Sequence, residues 1–263
     1  MEFDLGGARA FAATGGRPFD PNRPVLALIH GAGMDHTAWV LQARYFAHHG
    51  RSVLAFDLPG RGKSAGPALG SVEAMAAWLW RALDALGAKR AALVGHSMGS
   101  MVALEAAAMR PEAASHLGLI GTNYPMAVAK PLLDAAVNDP PAAHAMITGW
   151  GHGPAAKIGG HPVPGLWMTG GALRLLERNP PGVLAADFAA CNAYRGAEAA
   201  MARVTCPAKL ILGANDQMTP AGKSDLLLKG LKRATKTVLP DCGHMLMVEQ
   251  PDGLLAALKE LLD

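Results

Sequence analysis

The chain is poor in charge. Charged residues make up 17% of its 263 positions against 51% hydrophobic, and no run of five or six like charges occurs. The formal net charge of +3 is spread along the length, with no basic arm. The electrostatic footprint of a nucleic-acid binder is therefore missing, and no nucleic-acid partner is expected. Disorder is excluded as well, because a chain this apolar buries a large core. Cysteine is scarce: Cys191, Cys206 and Cys242 form no regular framework, and their odd number argues for a reducing compartment. There is no C-x-x-C and no H-E-x-x-H, so neither a structural zinc nor a zincin site is expected. The first residues, MEFDLGGARAFAATGG, carry acids early and lack a continuous apolar stretch, unlike a secretory signal. Nothing approaches the roughly 18 uninterrupted apolar residues of a membrane span. Arg61 and Lys63 in LPGRGKS lack the G-x-x-x-x-G-K-S/T spacing of a phosphate loop, so no nucleotide is implied. The expectation is a cytoplasmic protein without metal or cofactor.

What is present is an alternation of short apolar runs and helical patterns. VLALI (25–29), SVLAFD (52–57), AALVG (91–95) and LGLIG (117–121) read as buried strands. Between them, 36–49, 71–87 and 98–109 read as helices, the first with Trp39, Val40, Ala43 and Phe46 on one face. Such alternation predicts an α/β fold, a parallel sheet covered by helices on both faces. The pattern breaks over 122–200, where Pro and Gly are frequent and helical stretches fall near 127–137, 171–178 and 183–200. It resumes with PAKLILGAND (207–216), a helix at 219–232, the strand TKTVLP (235–240) and a last helix at 251–262. This predicts one α/β domain, 1–121 with 201–263, interrupted by a helical insert at 122–200. A length of 263 residues suits that arrangement.

The most informative segment is AALVGHSMGSMVALEAA. A buried strand runs into Gly95-His96-Ser97-Met98-Gly99, and a helix follows at once. With 7 serines and 31 glycines in the chain, about 0.1 chance occurrences of G-x-S-x-G are expected before the strand and helix are required. The spacing has a physical reason. A sharp strand-to-helix turn strains the serine backbone and lifts its hydroxyl to the carboxyl edge of the sheet, while glycines two positions away leave room.

A serine hydroxyl needs a base to take its proton. On a strand–turn–helix elbow the partners follow in the order serine, acid, histidine. Of ten histidines only His244, in VLPDCGHMLMVEQP, lies beyond the insert, on the loop before the last helix. The acid must orient the imidazole and balance its charge. Asp216 follows KLILGA and is preferred. Asp241 is the rival, three residues from His244 on the same loop. The loop after the preceding strand offers Asn123 in place of an acid. Backbone N–H groups to hold an oxyanion are expected from Met98, at the helix N-terminus, and from Ala32 in the turn His30-Gly31-Ala32-Gly33.

HGAGMDHTAW, FDLPGRGKS, GHSMGS, LGANDQMTP and LPDCGHMLMVEQP, in this order, resemble the α/β-hydrolase superfamily over nearly all the chain outside 122–200. The chain is most similar to the cofactor-free carboxylesterases, lactonases and carbon–carbon bond hydrolases that carry a helical cap. The resemblance implies an eight-stranded, mostly parallel sheet and a two-step acyl-enzyme reaction. Serine at 97 separates the chain from the haloalkane dehalogenase and epoxide hydrolase branches, which use aspartate there. The expected activity is hydrolysis of a small or medium carboxylic ester, or of a lactone, with Ser97, Asp216 and His244 as the triad. Cleavage of a carbon–carbon bond in a diketone-like compound, or ligand reception without catalysis, are the alternatives.

Other residues are expected to do less. His96 sits inside the elbow but points away from its neighbour, so a structural role is expected. His144, His152 and His161 lack metal-ligand spacing and are assigned to surface or packing. Cys242 lies near His244 and is a conceivable but disfavoured nucleophile. In the insert, Tyr124, Met126, Met146, Trp150, Trp167, Met168, Phe188 and Tyr194 are divided between packing on the main domain and roofing an apolar pocket.

Overall fold

A computed structural model describes residues 1–160 and 165–263; His161 lies outside the described residues. The strands are β1 (Glu2–Asp4), β2 (Arg9–Ala13), β3 (Val25–Ile29), β4 (Ser52–Asp57), β5 (Ala91–His96), β6 (Ala114–Ile120), β7 (Ala208–Gly213) and β8 (Ala234–Leu239). They form one sheet in the order β1-β2-β4-β3-β5-β6-β7-β8. β1 and β2 pair antiparallel to each other, β2 antiparallel to β4, and the remaining pairs are parallel. This is the eight-stranded, mostly parallel sheet of the α/β-hydrolase fold.

Period-two alternation explains how the sheet is buried on both sides. Along β3, Val25, Ala27 and Ile29 join one core, whereas Leu26 and Leu28 join the other. β5 repeats this, with Leu93 facing one way and Ala92 and Val94 the other. The first face is covered by α2 (Val72–Ala85) and α3 (Met98–Met109), which pack on each other. α1 (Val40–His48) covers the second face.

A single 3-10 turn, His36–Trp39, precedes α1 because Asp35 caps it through the Thr37 N–H. The change of helix type rotates the stripe: Trp39, Ala43 and Phe46 are buried, but Val40 is 61% exposed and leaves the predicted face.

Between β6 and β7 lie α4 (Lys130–Asn138), α5 (Pro140–Gly151), α6 (Pro154–Lys157), α7 (Met168–Glu177), α8 (Val183–Ala193) and α9 (Ala197–Arg203). The predicted helix over 183–200 is two, broken at Tyr194–Gly196, and α9 packs on α3 with the sheet-covering layer. The predicted helix over 219–232 is a 3-10 turn, Ala221–Ser224, followed by the short α10 (Asp225–Gly230). After β8 come α11 (Leu246–Glu249) and α12 (Pro251–Leu262), and α12 packs against the second face. Among the described residues no helix is long and apolar enough to cross a membrane.

Strand order reverses around β3, which pairs with β4 on one side and β5 on the other. A crevice opens outside the carboxyl ends of strands at such a switch point. The turn after β3 and the elbow after β5 meet there.

Candidate active site

Ser97 has φ 51° and ψ −121°, in the region that favours glycine. Holding a side-chain-bearing residue there costs about 1–3 kcal/mol, and the surroundings must over-determine it. They do. Ser97 N–H donates to Ile120 O at 2.9 Å, and Ser97 O accepts from Ser100 N–H at 2.8 Å and from the Ser100 hydroxyl at 2.5 Å. A Cβ on Gly95 would land on the backbone of Gly99, and one on Gly99 would land on the carbonyl oxygens of Ile29 and His30. The two glycines thus let the elbow close and let α3 start against the end of β3.

His244 is buried on the loop between β8 and α11, with Nδ1 2.7 Å from Asp216 Oδ2 and 3.2 Å from Thr219 Oγ1. Asp216 Oδ1 accepts the N–H groups of Met218 and Thr219, both at 2.8 Å, and Oδ2 accepts the Thr219 hydroxyl at 2.7 Å. Burial alone would raise the Asp216 carboxyl. The His244 charge and hydrogen bond, with the Thr219 donors, outweigh it and hold the pKa down at about 2. Asp216 is therefore an anion, His244 Nδ1–H donates to it, and Nε2 is left as the basic nitrogen. Asp241 sits in an exposed turn with φ 51° and has no part in this contact.

Ser97, His244 and Ala32 line one small cavity with Met34, Phe188, Met218 and Met245. Among the described residues neither Ala32 N–H nor Met98 N–H donates to a protein acceptor. The peptide that carries the Ala32 N–H is turned by its other end: Gly31 O accepts from Met34 N–H at 3.2 Å and faces His30 Nδ1 at 2.8 Å. Because the peptide is planar and trans, anchoring that carbonyl aims the N–H the opposite way.

A larger cavity of about 320 Å³ adjoins on one side. Ser97, Ala32, Asn123, Met126, Trp150 and Phe188 are among its walls, and among the described residues the buried Asn123 Oδ1 has no hydrogen-bond partner. On the other side Met34 and Met245 also border a cavity of about 280 Å³ that reaches Trp167, Met168 and Arg174.

A profile of the Alpha/beta hydrolase family matches residues 26–257. The chain belongs to this family. As an alpha/beta hydrolase it is 30% identical over 256 residues to a pimeloyl-acyl-carrier-protein methyl ester esterase of Aromatoleum aromaticum, covering 92% of this chain and 99% of the relative. It is 28% identical over 268 residues to a putative carbamate hydrolase RutD of Klebsiella pneumoniae, covering 91% of each. Among solved structures, the enol-lactonase of Burkholderia xenovorans superposes with a TM-score of 0.86 at 19% identity, covering 100% of this chain and 99% of that one. At that identity the likeness is one of fold.

Several residues of this alpha/beta hydrolase that shape the site escape sequence reading. Glu249 is buried in α11, and its two carboxylate oxygens accept the N–H groups of Gly153, Gly243 and Met245 at 2.8–3.1 Å. It ties the His244 loop to the end of α5, as does Gly151 O, which accepts His244 N–H at 2.8 Å. Gly121, at φ 52°, faces both His96 and His244, and a Cβ there would lie 3.1–3.2 Å from their rings. Only a glutamate five residues after His244 and a glycine ending a strand run hinted at these roles.

His96 behaves as a strut: Nε2–H donates to His244 O at 2.8 Å, and burial beside His244 lowers its pKa to about 3. His152 is buried with Nδ1 on Thr148 O at 2.9 Å, and His144 is partly exposed. Tyr124 and Tyr194 pack edge to face in the core, 6.3 Å apart. All three cysteines are free and buried, and burial raises the thiol pKa of Cys242, which leaves it a poor nucleophile. Among the described residues Asp35, His36 and Asp57 have the chemistry of metal ligands. Their atoms are committed: His36 Nδ1 to Asp57 at 2.8 Å, Asp35 to the Thr37 N–H and to Arg178.

Proposed function

We propose that this alpha/beta hydrolase is a serine esterase acting on small or medium carboxylic esters, lactones included, through an acyl-enzyme at Ser97. The observation that carries the reading is the strained Ser97 sharing one cavity with the His244–Asp216 pair. Ser97 Oγ attacks the carbonyl carbon while its proton passes to His244 Nε2, and Asp216 balances the imidazolium. The carbonyl oxygen, now carrying the charge, is held by the N–H groups of Ala32 and Met98. Collapse breaks the carbon–oxygen bond to the alcohol, which leaves with the proton from His244. Water repeats the sequence on the acyl-enzyme and frees the acid. The roles of both N–H groups rest on their being uncommitted beside Ser97.

We assign residues 122–200 to a cap, with 1–121 and 201–263 as the catalytic core. Trp150, Met126 and Phe188 from this segment wall the larger cavity, in support of an acyl pocket roofed by the cap. The relatives named as a methyl ester esterase and a carbamate hydrolase both act, by those names, at an acyl carbon bearing a heteroatom. Three buried free thiols suit a cytoplasmic location.

The test is direct. Ser97→Ala is expected to fold normally and lose roughly 10⁴-fold or more in turnover of a short chromogenic ester. A fluorophosphonate is expected to label the wild type at Ser97 and to leave the variant unlabelled. Labelling at Cys242 instead would overturn the assignment.

A further inference from the structure

The turn after β3 is held from both domains. Its first peptide is anchored by the core, through Met34 N–H and His30 on Gly31 O. Its next two are anchored from the segment between β6 and β7. Gly33 N–H donates to Asp187 Oδ2 at 2.9 Å, and Gly33 O accepts Asn179 Nδ2 at 2.5 Å. Gly33 itself is at φ 65°, and a Cβ there would meet Leu184 and Leu176 of the same segment at 2.9–3.0 Å.

Asp187 is 0% exposed and would be a costly isolated charge. It is paired with Arg61, 1% exposed, whose Nε donates to Asp187 Oδ2 at 3.2 Å and whose Nη1 donates to Pro59 O at 2.6 Å. A second contact joins Arg61 Nη2 to Asp187 Oδ1. Arg61 stands on the turn after β4, so the pair bridges three segments: the loop after β4, α8, and the turn after β3. A buried pair of this kind is a poor source of net stability, since well-packed apolar residues often serve as well. Its geometry has another use. The acceptor it presents fixes the peptide that follows Ala32.

We propose that Asp187, oriented by Arg61 and seconded by Asn179, is a positioning residue that aims the Ala32 N–H at the developing oxyanion. The inference rests on the serine-esterase reading and on Ala32 as a donor. It makes the segment between β6 and β7 part of the catalytic geometry, not of substrate choice alone. A misaimed donor weakens binding of the transition state while leaving ground-state binding nearly unchanged.

Two double variants separate position from packing. Arg61→Met/Asp187→Leu removes the charges and the Gly33 acceptor together. Arg61→Gln/Asp187→Asn keeps an amide oxygen for the Gly33 N–H. The first is expected to lose about 10- to 100-fold in kcat toward a short ester with KM within about threefold, and the second to recover most of that loss. Asn179→Ala, which touches the turn from a half-buried position, is expected to lose kcat in the same manner and serves if the first pair does not fold.

Folded Arg61→Met/Asp187→Leu and Asn179→Ala proteins with wild-type kcat would overturn the proposal, as would changes confined to KM and melting temperature. Equal losses in both double variants would also overturn it, because the retained acceptor would then not matter. A wild type that neither turns over the ester nor labels at Ser97 would instead bring down the esterase reading itself.

Discussion

At Asp216 two effects oppose each other, and their balance sets its charge. Burial favours the neutral acid, yet the charge and hydrogen bond of the imidazole, with three hydrogen bonds from Met218 and Thr219, favour the anion and prevail. An amide in its place keeps an acceptor for the Met218 and Thr219 N–H groups, so Asp216→Asn is expected to fold. It cannot balance an imidazolium, and it permits the wrong ring tautomer. Turnover should drop by several orders of magnitude, on the order of 10⁴-fold. Asp241→Asn, on an exposed turn away from the ring, should stay within about threefold of wild type. Measuring kcat/KM for both settles it, and the reverse ranking would show that the other carboxylate serves His244. The contact between His244 and Asp216 was legible because each residue follows a strand run on one sheet edge. Asp187 and Glu249 were not: the first meets Gly33 across 154 residues, and the second meets Gly153 across 96. No local pattern encodes a partner at that distance.

Elements divide along the same line. β3, β4, β5, α3 and α12 were readable because burial on both faces leaves uninterrupted apolar runs or a strong helical stripe. The β1–β2 hairpin was not, since Glu2–Asp4 is largely exposed and too short to alternate visibly. α5 begins at two prolines and ends in Gly-Trp-Gly, which reads as a breaker; in fact Asp139 caps it and Pro140 suits the first turn. α5 delivers Trp150 to the cavity at Ser97. Trp167, 72% exposed, borders the other cavity. Removing one large group from a pocket costs about 1–3 kcal/mol for ligands that touch it and little for smaller ones. Trp150→Ala should therefore reorder acetyl to octanoyl esters, while Trp167→Ala keeps the wild-type acyl ranking. Both should retain Ser97 labelling by a small fluorophosphonate. If Trp150→Ala keeps the ranking, the larger cavity does not hold the acyl chain. If either folded variant fails to label, that tryptophan helps assemble the catalytic groups.

For the whole molecule, the buried imidazoles set a limit on the acid side. His30 is enclosed between the turns after β3 and β4. Its Nε2 accepts Leu58 N–H at 3.2 Å, and burial with the nearby Arg61 charge lowers its pKa to about 4, against the weaker pull of Asp57 and Asp35. His96 is lowered to about 3 by burial and by His244, with Asp216 opposing. An unfolded chain protonates each near the ordinary histidine value of about 6.5. Between that value and the folded one, the unfolded state holds a proton that the native state refuses, so stability falls as pH falls. Asp216 acts in the same direction in a lower window. Its folded pKa of about 2 lies below the ordinary carboxyl value, and its stabilisation is lost only as pH drops through that range. Each proton taken up on unfolding costs about 1.4 kcal/mol per pH unit. Because the unfolded imidazoles are already partly protonated at pH 6, His30 and His96 together remove about 2 kcal/mol between pH 6 and pH 5, a sizeable part of a typical total of about 5–15 kcal/mol. Urea midpoints measured from pH 8 to pH 5 should be flat above about pH 7 and fall steeply below it, with at least two protons taken up on unfolding, since burial lowers His152 in the same direction. His96→Gln retains a donor for His244 O and should shallow that slope by about one proton. A midpoint independent of pH down to 5 would mean that these imidazoles titrate in the native state, and that water reaches the inner side of both turns.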